Sequence, residues 1–182
     1  MSDAAPSHMA RAREARLARV VLTGEALTRL SPILEADRAQ AVADLTAENR
    51  FRPLVVRPGQ ESCHDFALHL SIQEGRLVFD IRCFDAARGD SEADLETPVS
   101  AILLALGPFR SLIKDYQLLV DSHIKAVEEG REARIQAIDM GRRGLHNEGA
   151  TLMIERLAGK IEIDFETARR LFTLVCVLHQ RI

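Results

Sequence analysis

Between residues 65 and 85 the chain alternates apolar and polar side chains on both sides of the dipeptide Glu74-Gly75, in the order DFALHLSIQ, EG, RLVFDIRCFD. Period-two patterning broken by a glycine, which accepts the positive φ of a tight turn, specifies a β-hairpin. Symmetric pairing about the turn sets Ile72 against Leu77, Leu70 against Phe79, Leu68 against Ile81 and Phe66 against Cys83, so one face is wholly apolar. The opposite face sets His69 across from Asp80 and Ala67 across from Arg82. It reads as solvated, with a polar site as the alternative. A lone hairpin of this kind is marginal in water, so other elements must cover its apolar face.

The rest of the chain offers that cover. Residues 17–22 (LARVVL) suit a short first strand, and Ser31-Pro32 provides an N-cap and a first-turn proline for a helix reaching Asn49. Residues 86–96 read as a surface loop. Residues 99–106 are apolar at every alternation, as in a strand covered on both sides, with a buried helical turn as the alternative. Gly107-Pro108 opens a helix to about Glu129, with Leu112, Ile113, Tyr116, Leu119, Val120, Ile124 and Val127 as its stripe. After Gly130 a second helix carries Ile135, Ile138, Leu145, Leu152 and Leu157, and the two form an antiparallel hairpin. Residues 160–165 (KIEIDF) alternate as a strand does, and Asp164 caps a last helix burying Ala168, Leu171, Phe172, Val175 and Leu178. The expected fold is α+β: a small antiparallel sheet, hairpin 65–85 plus a strand near 99–106, packed against a C-terminal helical hairpin and a last helix. Residues 1–15 form a flexible tail and 16–182 a single domain.

Composition excludes several classes. The net charge of -3 comes from 24 basic and 27 acidic residues mixed along the 182-residue chain, so no broad cationic field exists for nucleic acid. No apolar run approaches the roughly 20 residues of a membrane helix, and the first residues lack the apolar centre of an export signal. The expected location is the cytoplasm. The three cysteines, Cys63, Cys83 and Cys176, are odd in number and lack CxxC spacing, against a disulfide framework or a structural zinc; reduced thiols are expected. Cys63-His64 with His69 has the residue types of a thiol and base or of metal ligands, but reads as surface. Neither a metal nor a cofactor is assigned. Walker, dinucleotide, HExxH and GxSxG motifs are all missing.

The densest polar run is residues 139–149, DMGRRGLHNEG. Three glycines there cost roughly 1 kcal/mol each against alanine. In a structural account, Gly141 lets a neighbouring backbone approach beside Ile138 and Leu145. In a functional one, Arg142 and Arg143 bind an acidic group while His146 with Glu148 moves a proton or orients it. Asp139, Arg142, Arg143 and His146 can share one helical face, and Arg110, Lys114 and Asp115 of the preceding helix can reach it. The candidate ligand-binding residues are Lys114, Asp139, Arg142, Arg143, His146 and Glu148. Arg169-Arg170 reads as a solvated helix face, Cys176 as a buried thiol and His179 as a helix-end histidine. The favoured function is a binding or interaction module that holds a small anionic ligand or a protein partner. The alternative is an enzyme using His146 with Asp139 or Glu148 for acid/base chemistry. Edge pairing or helix packing would give a homodimer.

GPFRSLIKDY at 107–116, IDMGRRGLHNEG at 138–149 and KIEIDFETARRLFTLVCVLHQ at 160–180, with LSIQEGRLVFDIR at 70–82, resemble uncharacterised protein family 0262. This is a bacterial, mainly alpha-proteobacterial family of no known function. The resemblance covers nearly everything after the tail, and it implies no activity, cofactor or site residue. Residues 86–97 look longer and more acidic than the family's usual connection.

Overall fold

A computed structural model describes residues 13–179, with the side chains at 25, 26, 92 and 93 set aside. All but residues 13–15 of the expected tail therefore lies outside the described residues. Strands β1 (Arg16–Thr23), β2 (Phe51–Pro53), β3 (Asp65–Gln73), β4 (Arg76–Phe84), β5 (Glu96–Ala105) and β6 (Ile161–Ile163) alternate with helices α1 (Pro32–Ala47), α2 (Glu92–Leu95), α3 (Arg110–Glu128), α4 (Glu132–Leu157) and α5 (Phe165–Leu178).

The hairpin of β3 and β4 has the expected register, from Phe66 against Cys83 to Gln73 against Arg76. Its turn carries positive φ at both Glu74 (49°) and Gly75 (72°), the geometry that matches strand twist. β5 pairs antiparallel with β4 and β1 pairs parallel with β3, giving the order β1-β3-β4-β5. The antiparallel expectation holds across β3, β4 and β5. β1 makes the sheet mixed, because the long connection through α1 brings the chain back in the same direction. Leu68, Leu70, Leu77, Phe79 and Ile81 are fully buried on the inner face and share one apolar cluster with the helices.

Two expectations for the segment after β4 hold only in part. The loop at 86–96 contains α2 and runs straight into β5 at Glu96. β5 is covered on one face only: Val99 is fully buried, whereas Leu103 is 52% exposed and Ala101 and Ala105 lie in solvent. An apolar side chain on the outer face looks the same in sequence as one facing the core, so hydropathy cannot separate them.

α5 is the spine of the helical layer, with Leu171 through Leu178 all buried. Asp164 caps it as expected, its carboxylate accepting the Thr167 N–H at 2.9 Å. Ser31 precedes α1, but its hydroxyl makes no capping bond. α3 ends where the Arg131 N–H returns to the Ala126 carbonyl (3.0 Å), which turns the chain into α4. β2 and the expected strand at 160–165, here β6, form a separate two-stranded ribbon. Three residues, FRP, carry too little alternation for β2 to be foreseen.

Cys63 and Cys83 are joined in a disulfide, with Cα atoms 5.9 Å apart. This overturns the reduced-thiol expectation for the pair. Sequence spacing is silent here, because the hairpin register is what brings Cys83 beside the entry to β3. Cys176 lies fully buried in the core and outside this disulfide.

Candidate functional site

The candidate helix at 138–149 is part of α4, and its arginine is committed to a buried network. The Arg142 guanidinium donates to Asp37 Oδ2 on α1, and the Tyr116 hydroxyl of α3 donates to the same oxygen. The Arg142 and Asp37 side chains are 14% and 20% exposed. Asp139 stands 3.6 Å from Arg142 and 3.8 Å from His123. Burial and then the Asp37 carboxylate push the Tyr116 phenol well up. For Arg142 burial opposes the charge, but Asp37 and Tyr116 together outweigh it and the pKa rises.

One turn along α4, His146 lies between two rings, with centroids 5.5 Å from Tyr116 and 6.3 Å from Phe172. Its Nε2 is buried without a partner. Burial, followed by the Arg142 and Arg169 charges, lowers its pKa to about 4, so the imidazole is neutral at pH 7. The glycine with a packing reason is Gly149, where a Cβ would fall 2.3 Å from the Phe172 ring. Gly141, expected in that role, is exposed, and a Cβ there would meet only the Leu119 side chain at 3.5 Å.

The structure thus gathers Asp139, Arg142 and His146. Lys114, Arg143 and Glu148 are exposed and join none of the hydrogen bonds or ion pairs among the described residues. Arg143 leaves the shared face because adjacent helical residues diverge by about 100°. In place of Arg110, Lys114 and Asp115, α3 supplies Tyr116 and His123. Neither Asp139 nor Glu148 bonds to His146.

Beside His146 a cavity of about 130 Å³ opens between α1, α4 and α5, lined by Asp37, Gln40, Asp44, Arg169, Arg170 and Thr173. The doublet expected on a solvated face stands on its wall. Arg170 pairs with Asp44 at 3.1 Å, and Glu166 reaches Arg169 at 3.5 Å and Arg170 at 3.8 Å. The signal that could have found this wall is the spacing Asp37, Gln40, Asp44, a polar stripe along one face of α1.

A second network lies on the outer sheet face, for which the strand alternation predicts solvent. The Glu96 carboxylate, 3% exposed, meets His69 Nε2 at 2.6 Å, Arg82 at 3.2 Å and Arg19 at 3.2 Å. Arg82 also holds Asp80 at 2.8 Å, and that hydrogen bond chiefly raises its pKa. The polar alternative for this face is the one realised. It was hidden because Glu96 comes from a segment read as a loop.

Among the described residues no three His, Cys, Asp or Glu side chains gather as a metal site requires, and no helix is long and apolar enough to cross a membrane. Fold and networks define an α+β protein whose polar side chains are sewn into the seams between helices and across one sheet face. The chain belongs to the family described as "Uncharacterised protein family (UPF0262)", which matches residues 14–181. A UPF0262 protein of Granulibacter bethesdensis is 67% identical over 173 residues, covering 92% of this chain and 91% of that relative. One from Acidiphilium cryptum is 59% identical (91% and 93% covered) and one from Maricaulis maris 46% identical (91% and 94% covered). No solved structure matches.

Proposed function

We propose that this protein is a cytoplasmic, single-domain binding module whose helical seam holds a small anionic group, a carboxylate or a phosphate, at Arg169 and Arg170. The observation that carries this reading is the placement of Glu166. Its carboxylate, 58% exposed, spans both guanidiniums on the cavity wall at 3.5 and 3.8 Å. A well-made Arg–carboxylate pair closes to about 2.7–2.9 Å, and exposed long pairs contribute little. An incoming anion can therefore displace Glu166 at small cost and find two cations already positioned, Arg170 by its 3.1 Å pair with Asp44.

Arg142 has the opposite character. Locked on Asp37, it fixes the seam, and His146 gives the cavity a neutral polar wall. The enzyme alternative loses support, since His146 has no carboxylate to orient it and a base with a pKa near 4 is weak at neutral pH.

The test is calorimetric titration with inorganic phosphate and with acetate. Wild type binds one of them, Arg169→Gln with Arg170→Gln does not, and Glu166→Gln binds several-fold more tightly because the competing carboxylate is gone. No binding by wild type or by Glu166→Gln, with folding intact, sinks the proposal.

A further inference from the structure

We propose that Cys63 and Cys83 form a site of reversible thiol–disulfide exchange with a low-molecular-weight thiol, and that their redox state sets the freedom of the 54–64 loop. Access comes first. Both cysteines are half-buried and line one cavity of about 320 Å³ together with Arg13, His64 and Arg88. Cys63 also lines an adjoining cavity of about 580 Å³. Sulfurs that a thiolate can approach mark labile disulfides rather than inert structural ones.

The second observation is how lightly the loop is held. Three backbone bonds tie residues 54–64 to the rest of the described chain: the Leu54 N–H to the Lys160 carbonyl (2.9 Å), the Arg57 N–H to the Val99 carbonyl (3.2 Å) and, at the very end, the Arg16 N–H to the His64 carbonyl (2.9 Å). Others stay within the loop, as from Gln60 to Arg57 and from Cys63 to Gln60. The disulfide clamps the far end of this segment to β4. β3 and β4 keep their own ladder whether or not the sulfurs are joined, so opening the bond frees the loop and leaves the sheet. The remaining thiol, Cys176, is fully buried and takes no part in exchange.

A thiolate attacks Sγ of Cys63, the cysteine that lines both cavities. The S–S bond breaks, Cys83 leaves as thiolate and takes up a proton, and a mixed disulfide remains on Cys63. A second thiol attacks that mixed disulfide and releases Cys63. In sum, two thiols become one small-molecule disulfide while two electrons and two protons pass to the protein. Oxidation runs the same steps in reverse. In a reducing compartment, such pairs are typically transient or redox-sensing.

The test equilibrates the native full-length protein in graded mixtures of reduced and oxidised glutathione, then traps free thiols by alkylation for mass spectrometry. The expected result is concerted interconversion of Cys63 and Cys83 with an unchanged far-UV spectrum and Cys176 unlabelled, plus a mixed disulfide on Cys63 in the Cys83→Ser variant. Hydrogen exchange at the Arg57 amide should rise on the order of tenfold on reduction, as expected when a locally opening segment loses its clamp. The Cys63→Ser/Cys83→Ser variant should exchange fast in either buffer. A pair that stays reduced in oxidised glutathione, or that opens only in denaturant, overturns the exchange site. Identical Arg57 exchange in both states overturns its link to the loop. Phosphate binding by the double-serine variant reports on the seam separately.

Discussion

Phe172 on α5 fills the space that a side chain at Gly149 on α4 would need: a Cβ there would fall 2.3 Å from the ring. The two helices meet at this point without room for a methyl group. Gly149→Ala should therefore cost about 2–3 kcal/mol through overpacking, despite the better helix propensity of alanine. Gly144→Ala, with nothing within 4 Å of its Cβ, should gain up to about 1 kcal/mol. Urea unfolding of the two variants checks both signs, and equal midpoints would contradict the close approach.

Asp37 is the acceptor on which Tyr116 and Arg142 converge. Asp37→Ala leaves a guanidinium that is 14% exposed with the longer Asp139 contact and the Tyr116 ring in place of its carboxylate partner, and should cost about 3 kcal/mol. Tyr116→Phe removes one donor and should cost about 1 kcal/mol. In a double-mutant cycle, Asp37→Ala with Arg142→Met should lose clearly less than the two single changes added together, because the stranded charge is gone. Strict additivity would contradict the coupling.

What the sequence made legible divides by range. The β3–β4 register, the start of α5 at Asp164 and the turn after α3 all follow from periodicities and caps within a dozen residues. The polar partners do not. Arg142 stood out by composition, but its acceptor lies 105 positions away and no single sequence links them. Glu96 was invisible for another reason: it sits among acidic residues in an apparent loop, and only the strand it begins carries it over His69. Hydropathy also misjudged the Arg169-Arg170 doublet, since a helix as buried as α5 has little solvated face to offer.

Glu96 supports a third prediction. Its carboxylate neutralises Arg19 and Arg82 and anchors His69 while almost wholly buried. Glu96→Gln keeps the shape and removes the charge, which should cost about 2 kcal/mol, the scale of a hydrogen bond to a charged group. Asp80→Asn, at a half-exposed carboxylate, should cost less than about 1 kcal/mol. At roughly 2–4 °C per kcal/mol for a chain of this length, thermal unfolding separates the two, and an equal loss for both would show that burial of Glu96 contributes nothing.

His146 makes stability depend on pH in a defined direction. Burial and the nearby Arg142 and Arg169 charges lower its pKa in the folded chain to about 4, below the ordinary 6.5. Between those values the unfolded chain binds a proton at His146 and the folded chain does not. The contribution is therefore present in full above about pH 6.5, falls as pH drops through that window, and is gone below about pH 4, with a total of no more than about 3 kcal/mol. His146→Phe keeps a ring against Tyr116 and Phe172 and removes the titration. Urea midpoints for wild type should fall more steeply than those of the variant as pH is lowered from 7 to 4. Carboxylates elsewhere lower both curves alike, so parallel curves would mean that His146 is protonated in the folded protein as readily as in the unfolded chain.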